Sequence, residues 1–154
     1  MWGMVVVFFA ACTKTDINPG TRIISASSQD LASVKKRSAF LLSHQWVYNG
    51  FYFHYVNQKH KGNPQYVRGA SNNILNLDNT EFTFSNNGTF VEVDGGYTYP
   101  GKWWFSDSTA SLLVMDYQYW TDRDSIRILN DLQFNYTQPL GYHDKTYTEL
   151  IPPQ

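Results

Sequence analysis

The sequence predicts an all-β protein: an antiparallel up-and-down β-barrel of about eight strands, the number whose interior side chains just fill, with a short N-terminal helix. Three observations carry that expectation. From Gln45 onward, apolar and polar residues alternate in short runs, as they do in half-buried strands. Turn chemistry such as Asn87-Gly88 and Asp94-Gly95-Gly96 separates the runs at short spacing. Helical periodicity occurs only in front of the strands, where Leu31, Val34, Ser38, Leu41 and Leu42 share one face. A sheet built this way must close on itself or leave long edges open to aggregation.

The 154 residues fit a single domain, and 42% hydrophobic with 17% aromatic content supplies ample core. Charged residues are 16% and the formal net charge is −1, with no basic run long enough for an electrostatic grip on nucleic acid. The single cysteine, Cys12, ends the apolar run Val5 to Ala11. That run is too short to span a bilayer and suits the apolar part of an export signal. Phe9-Ala10-Ala11-Cys12 resembles a bacterial lipobox, with Phe9 in place of the usual Leu. The resemblance implies a signal peptide over 1–11, cleavage before Cys12 and acylation of Cys12. Residues 12–28 then read as a polar tether and 29–154 as the folded domain.

The elements follow in order. The helix carries Lys35, Lys36 and Arg37 on its far side, read as a solvated face. Gln45 to Val56 is the first strand, with Gly50 marking a bulge. Asn57 to Asn73 is polar and reads as a loop holding at most a short strand at Gln65 to Arg68. Glu81 to Phe105 is a three-stranded meander. A two-residue type I′ turn at Asn87-Gly88 sets Phe84 opposite Val91 and Phe82 opposite Val93, one apolar face. Only Phe90 falls on the polar side. After the second reversal, Gly101, Trp103 and Phe105 share a face. Ser106 to Thr109 is a turn and Ser111 to Tyr119 a strand of unresolved facing. Asp122-Arg123-Asp124 reads as the next turn, because Asp favours turns for backbone reasons. Ile126 and Ile128 alternate in the next strand; Asn130-Asp131 turns the chain; Leu132, Phe134 and Tyr136 alternate after it. Gln138 to Asp144 is a loop, and Thr146 to Ile151 is the closing strand.

The order of these pieces resembles the bacterial lipocalin-like lipoproteins, a branch of the calycin-type barrels. The matching residues are Leu41 to Trp46 after the helix, Phe82-Thr83-Phe84 to Gly88-Thr89-Phe90, Gly101-Lys102-Trp103, Ile126 to Leu129, and Thr148 to Pro152. His44 stands where that family carries Gly. The resemblance covers roughly Leu31 to Pro152 and implies an envelope lipoprotein, held at the outer membrane by the lipid on Cys12.

No nucleophile elbow, phosphate loop, dinucleotide motif or zinc-protease motif occurs, so no enzymatic activity and no cofactor is expected. His44, His54, His60 and His143 match no zinc spacing, and no metal site is expected. The aromatics remain. Trp46, Phe82, Phe84, Trp103 and Phe105 form the inward set, which either fills the barrel or lines a cavity for a small apolar ligand at one end. Filling is the expected outcome in a domain this small. Two classes of function stay open. One is a lipid-anchored binding module taking a small apolar molecule. The other is an envelope protein–protein interaction or inhibitor module with a filled barrel and tyrosines such as Tyr97, Tyr99, Tyr117 and Tyr119 outside.

Overall fold

The computed structural model describes residues 28–141 and 143–154, with side chains from residue 31 onward. The signal run, Cys12 and the tether up to residue 27 lie outside the described residues. Among the described residues, one helix, α1 (Ser28–Leu42), precedes nine strands: β1 (Gln45–Phe53), β2 (Asn63–Val67), β3 (Glu81–Phe84), β4 (Thr89–Asp94), β5 (Tyr97–Phe105), β6 (Leu112–Tyr117), β7 (Thr121–Leu129), β8 (Phe134–Pro139) and β9 (Lys145–Ile151).

All neighbouring strands are antiparallel, and β1 pairs with β9, which closes an eight-stranded up-and-down barrel. β2 is the ninth strand. β3 pairs with Gln45 to Val47 at the start of β1, and β2 takes the same edge further on, from Gly50 to Phe53. The bulge expected at Gly50 is present: the β1–β9 register shifts between Tyr48 and Gly50. A Cβ there would lie 2.7 Å from the Tyr52 ring, so a larger residue would require that side chain to shift. β1 ends at Phe53, short of Val56, where His54 adopts φ +59°.

Helix α1 plugs one end. Val34, Ser38 and Leu41 point into the barrel and are fully buried, as their spacing predicts. Trp46 Nε1 donates to the Leu41 carbonyl at 2.9 Å, tying the first strand to the end of the helix. Arg37 is not free in solvent. Its Nη1 donates to the Ala110 carbonyl at 3.2 Å and ties the helix to the β5–β6 loop. The Asp107 carboxylate shapes that loop, accepting from the backbone of Ser111 and Leu112 and the hydroxyls of Thr109 and Ser111.

The central hairpin departs from the expected register by one residue. Phe84 pairs with Phe90 and Phe82 with Glu92, not with Val91 and Val93. The cause is the turn. Gly88 has φ +80°, but Asn87 is not in the left-handed region, so a two-residue type I′ turn is not formed. Instead Gly88 N–H donates to the Ser85 carbonyl at 3.1 Å and Ser85 N–H to the Thr89 carbonyl at 2.8 Å. This is the three-residue loop, a type I turn closed by a glycine in αL. The slip moves Phe90 inside, where it is 1% exposed, and moves Val91 and Val93 to the outer face. The type I′ turn is in the next hairpin. Asp94 pairs with Tyr97 across Gly95-Gly96, whose φ angles are +55° and +90°. Gly88→Val is expected to cost about 1–2 kcal/mol, the strain of a β-branched residue in αL. Urea denaturation checks this, with Gly88→Asn as the tolerated control; an unchanged Val midpoint would remove the case for this turn.

Asp122-Arg123-Asp124 is not a turn. β7 begins at Thr121, and the reversal lies at Gln118 to Trp120, closed by Tyr117 N–H donating to the Trp120 carbonyl at 2.9 Å. The facing of β6 is also settled: Leu113, Met115 and Tyr117 belong to the interior cluster, so Tyr117 is not an external tyrosine. Leu132 sits in the β7–β8 turn at 68% exposure, outside the strand it was expected to join.

Candidate functional site

The interior divides into two halves along the barrel axis. The half against α1 is solid. Trp46, Phe84, Trp103, Phe105 and Phe134 meet edge to face at ring-centroid distances of 5.8 to 6.1 Å. Trp103 Nε1 donates to the Ser85 carbonyl at 3.0 Å, which satisfies its one polar atom. The expected inward set is therefore all buried, each at 5% exposure or less. Four of the five belong to this packed floor.

The other half is hollow. A cavity of about 210 Å³ lies inside the barrel, toward the end away from the helix, and of the five only Phe82 lines it. Its aromatic and apolar wall is Phe51, Phe82, Met115 and Trp120. Hydroxyls enter from Tyr48, Tyr117, Tyr136 and Thr148. Glu92, Asp122 and Gln138 complete it, and no Lys, Arg or His lines it. At the mouth, the Tyr117 and Trp120 rings stack at 4.4 Å, and Tyr99 meets Trp120 edge-on at 6.3 Å.

The acids arrive by strand pleat. Glu92 points inward because it pairs with Phe82. Asp122 and Asp124 alternate with the exposed Arg123 on β7 and share the face of the buried Ile126. Tyr117 Oη donates to Glu92 Oε2 at 2.6 Å. Burial raises the Glu92 carboxyl above the usual carboxylate range, and the charges of Asp94 and Asp122 push the same way; the Tyr117 hydrogen bond opposes them. Burial likewise raises Asp122, against hydrogen bonds from Trp120 and Gln138. Asp124 is 0% exposed, and neither carboxylate oxygen has a hydrogen-bond partner. Burial first, then the neighbouring Asp122 charge, raises it well above the ordinary value. The hydroxyls of Tyr48, Tyr117 and Tyr136 are also raised, chiefly by burial.

Sequence reasoning missed all three acids. Glu92 was assigned to the outer face by the one-residue slip, and the signal against it was Phe90, the one large apolar residue left on the polar side. Asp122 and Asp124 were read as turn residues. Yet Asp122, Asp124, Ile126 and Ile128 keep a period of two without a break, which is the pattern of one strand.

Elsewhere, a polar cluster on the outer wall is held together by its own hydrogen bonds, with Asn135 Oδ1 left unpartnered. Gln58 Nε2 and Asn135 Nδ2 both donate to Tyr147 Oη, at 2.9 and 3.2 Å, and Lys61 pairs with Glu149 at 2.5 Å. His54 Nδ1 lies 2.7 Å from Asp144 Oδ2. Among the described residues, no group of three or more His, Cys, Asp or Glu is arranged to hold a metal ion, and no helix is long and apolar enough to cross a membrane. No protein-family model matches the chain, and no curated protein matches it.

Proposed function

We propose that this chain is a small-molecule-binding barrel, lipocalin-like in kind, held at a cell-envelope membrane by a lipid on Cys12. The observation that carries the binding reading is the interior cavity of about 210 Å³ at the end opposite α1. A closed barrel with one end plugged and the other hollow is a container with one mouth. The site binds without turnover. Support for the anchor comes from Phe9-Ala10-Ala11-Cys12 and the short apolar run before it. The outer membrane is the address that the resemblance implies.

A second reading draws on the mouth. Tyr97 and Tyr119 are 71% and 83% exposed, and Trp120 is 45% exposed. An aromatic rim of this kind also suits a protein partner in the envelope. Such a partner would cover the cavity.

Mass spectrometry on protein purified from its own host tests both halves. Under native conditions the barrel is expected to carry a bound small molecule. After digestion, the N-terminal peptide is expected to begin at Cys12 and carry acyl chains. A bare barrel argues for the second reading, and an unmodified Cys12 removes the anchor.

A further inference from the structure

We propose that the interior cavity takes a small organic cation, a protonated amine on a single ring or short alkyl body, with Glu92 and Asp122 as its counter-charges. This deepens the binding reading above and rests on it.

Charge is the first argument. Two carboxylates line the cavity and no basic side chain does. A third carboxyl, Asp124, lies one step deeper on the same face of β7, fully buried with both oxygens unpartnered. Asp124 does not itself line the cavity, but its carboxyl adds to the acidic side of the wall. An anionic ligand would find no basic side chain and would oppose ionisation of the acids. A neutral apolar ligand would offer Glu92 and Asp122 no counter-charge beyond the hydrogen bonds they already accept.

The aromatic wall is the second argument. Tyr117 and Trp120 are stacked at the mouth, and Tyr48 and Phe82 meet inside at 5.7 Å. Ring faces beside carboxylates attract an ammonium group and also cover an apolar body. A bare divalent metal fits less well, because hard cations need six or more oxygen ligands and no suitable acid cluster is formed among the described residues. Size is the third. A cavity of roughly 150 Å³ takes benzene, so about 210 Å³ takes one ring with a short polar arm.

Binding is coupled to protonation. The groups facing Glu92 are Tyr117 on β6, Tyr48 on β1, Asp94 on its own strand and Asp122 on β7. Asp122 faces Trp120 and Gln138, and Asp124 faces Asp122, Tyr48 and Tyr136. Burial holds all three acids toward the protonated form in the empty cavity. A cation favours their ionised form, so binding releases protons and strengthens as pH rises through their raised range.

The test is titration calorimetry on the whole chain, dialysed free of small molecules, with benzylamine, benzyl alcohol and benzoate. Benzylamine is expected to bind at least about tenfold tighter than benzyl alcohol, with benzoate weakest. Its affinity should fall between neutral pH and about pH 5, and two buffers of different ionisation enthalpy should report proton release. Asp122→Asn and Glu92→Gln, checked as folded by thermal melting, should each weaken benzylamine about tenfold and leave benzyl alcohol unchanged. Benzyl alcohol equal to or tighter than benzylamine overturns the cation while leaving the binding cavity standing. No binding by any of the three also overturns it, and the native mass spectrum then decides the cavity separately.

Discussion

Trp46→Ala is expected to cost about 3–5 kcal/mol of folding free energy, measured by urea denaturation. Trp46 is 0% exposed and packs edge-on against Phe134 at 5.8 Å. Its Nε1 is also the hydrogen-bond donor that joins β1 to the last turn of α1. Truncation therefore opens a void in the packed half, removes the apolar area of one of its two tryptophans, and leaves the Leu41 carbonyl without this donor. Domains of this size hold only about 5–15 kcal/mol in total, so the variant is expected to be marginal at physiological temperature. Trp46→Phe separates the two contributions. It keeps a ring in place and loses the hydrogen bond, and a loss nearer to about 1 kcal/mol plus a residual packing defect is expected. A Trp46→Ala loss below about 1 kcal/mol, the size of an ordinary substitution, would mean that the helix-plugged end is not the core of the domain.

Asp124→Asn is expected to stabilise the protein at neutral pH, by on the order of 1–3 kcal/mol, because the amide, though still unpaired, removes the larger cost of burying or neutralising a carboxylate there. It is also expected to flatten the dependence of stability on pH. The folded-state values of Glu92, Asp122 and Asp124 are all raised above those of the unfolded chain. A raised carboxyl contributes stability that is fully present below its unfolded value, about pH 4, and is lost as pH rises through its folded value. Acidification from neutral pH toward about pH 5 should therefore raise the melting temperature. Asp107 acts in the opposite sense. Its hydrogen bonds from Ser111, Thr109 and Leu112 hold it below the usual range against the burial that raises it. Its contribution is present above about pH 4 and is lost only below that, as pH falls through its folded value. The stability maximum is thus expected in the mildly acidic range. Thermal melts across pH decide it: a wild-type protein that melts higher at neutral pH than at about pH 5 contradicts the buried acids.

Much of the architecture was legible in local pattern. The alternation along Phe82 and Phe84, along Trp103 and Phe105 and along Ile126 and Ile128, together with the turn residues between them, announces antiparallel strands joined by short reversals. The 3.6-residue spacing of Val34, Ser38 and Leu41 announces the one helix and its buried face, and Gly50 announces the bulge. These signals are local because they follow from pleat, helical turn and backbone φ, each set within a few residues.

The candidate site was not legible, and the reason is register. Asn86-Asn87-Gly88 supports two turns that differ by one residue, and the choice flips Glu92 from outside to inside. The choice is made by what the rest of the barrel offers Phe90: Tyr117 on β6 meets its ring at 4.8 Å, and β6 lies beyond the hairpin in the chain. Asp122 and Asp124 are acidic in any reading, but a buried acid exists only where other strands exclude water from it. That exclusion needs β1 to meet β9, a contact about a hundred residues apart in sequence. Periodicity and turn chemistry thus sufficed for a helix followed by a sheet that must close. Which half of the barrel is solid, which is hollow, and that the hollow holds carboxylates was decided by tertiary closure, because burial and electrostatic environment belong to the assembled wall and not to any one strand.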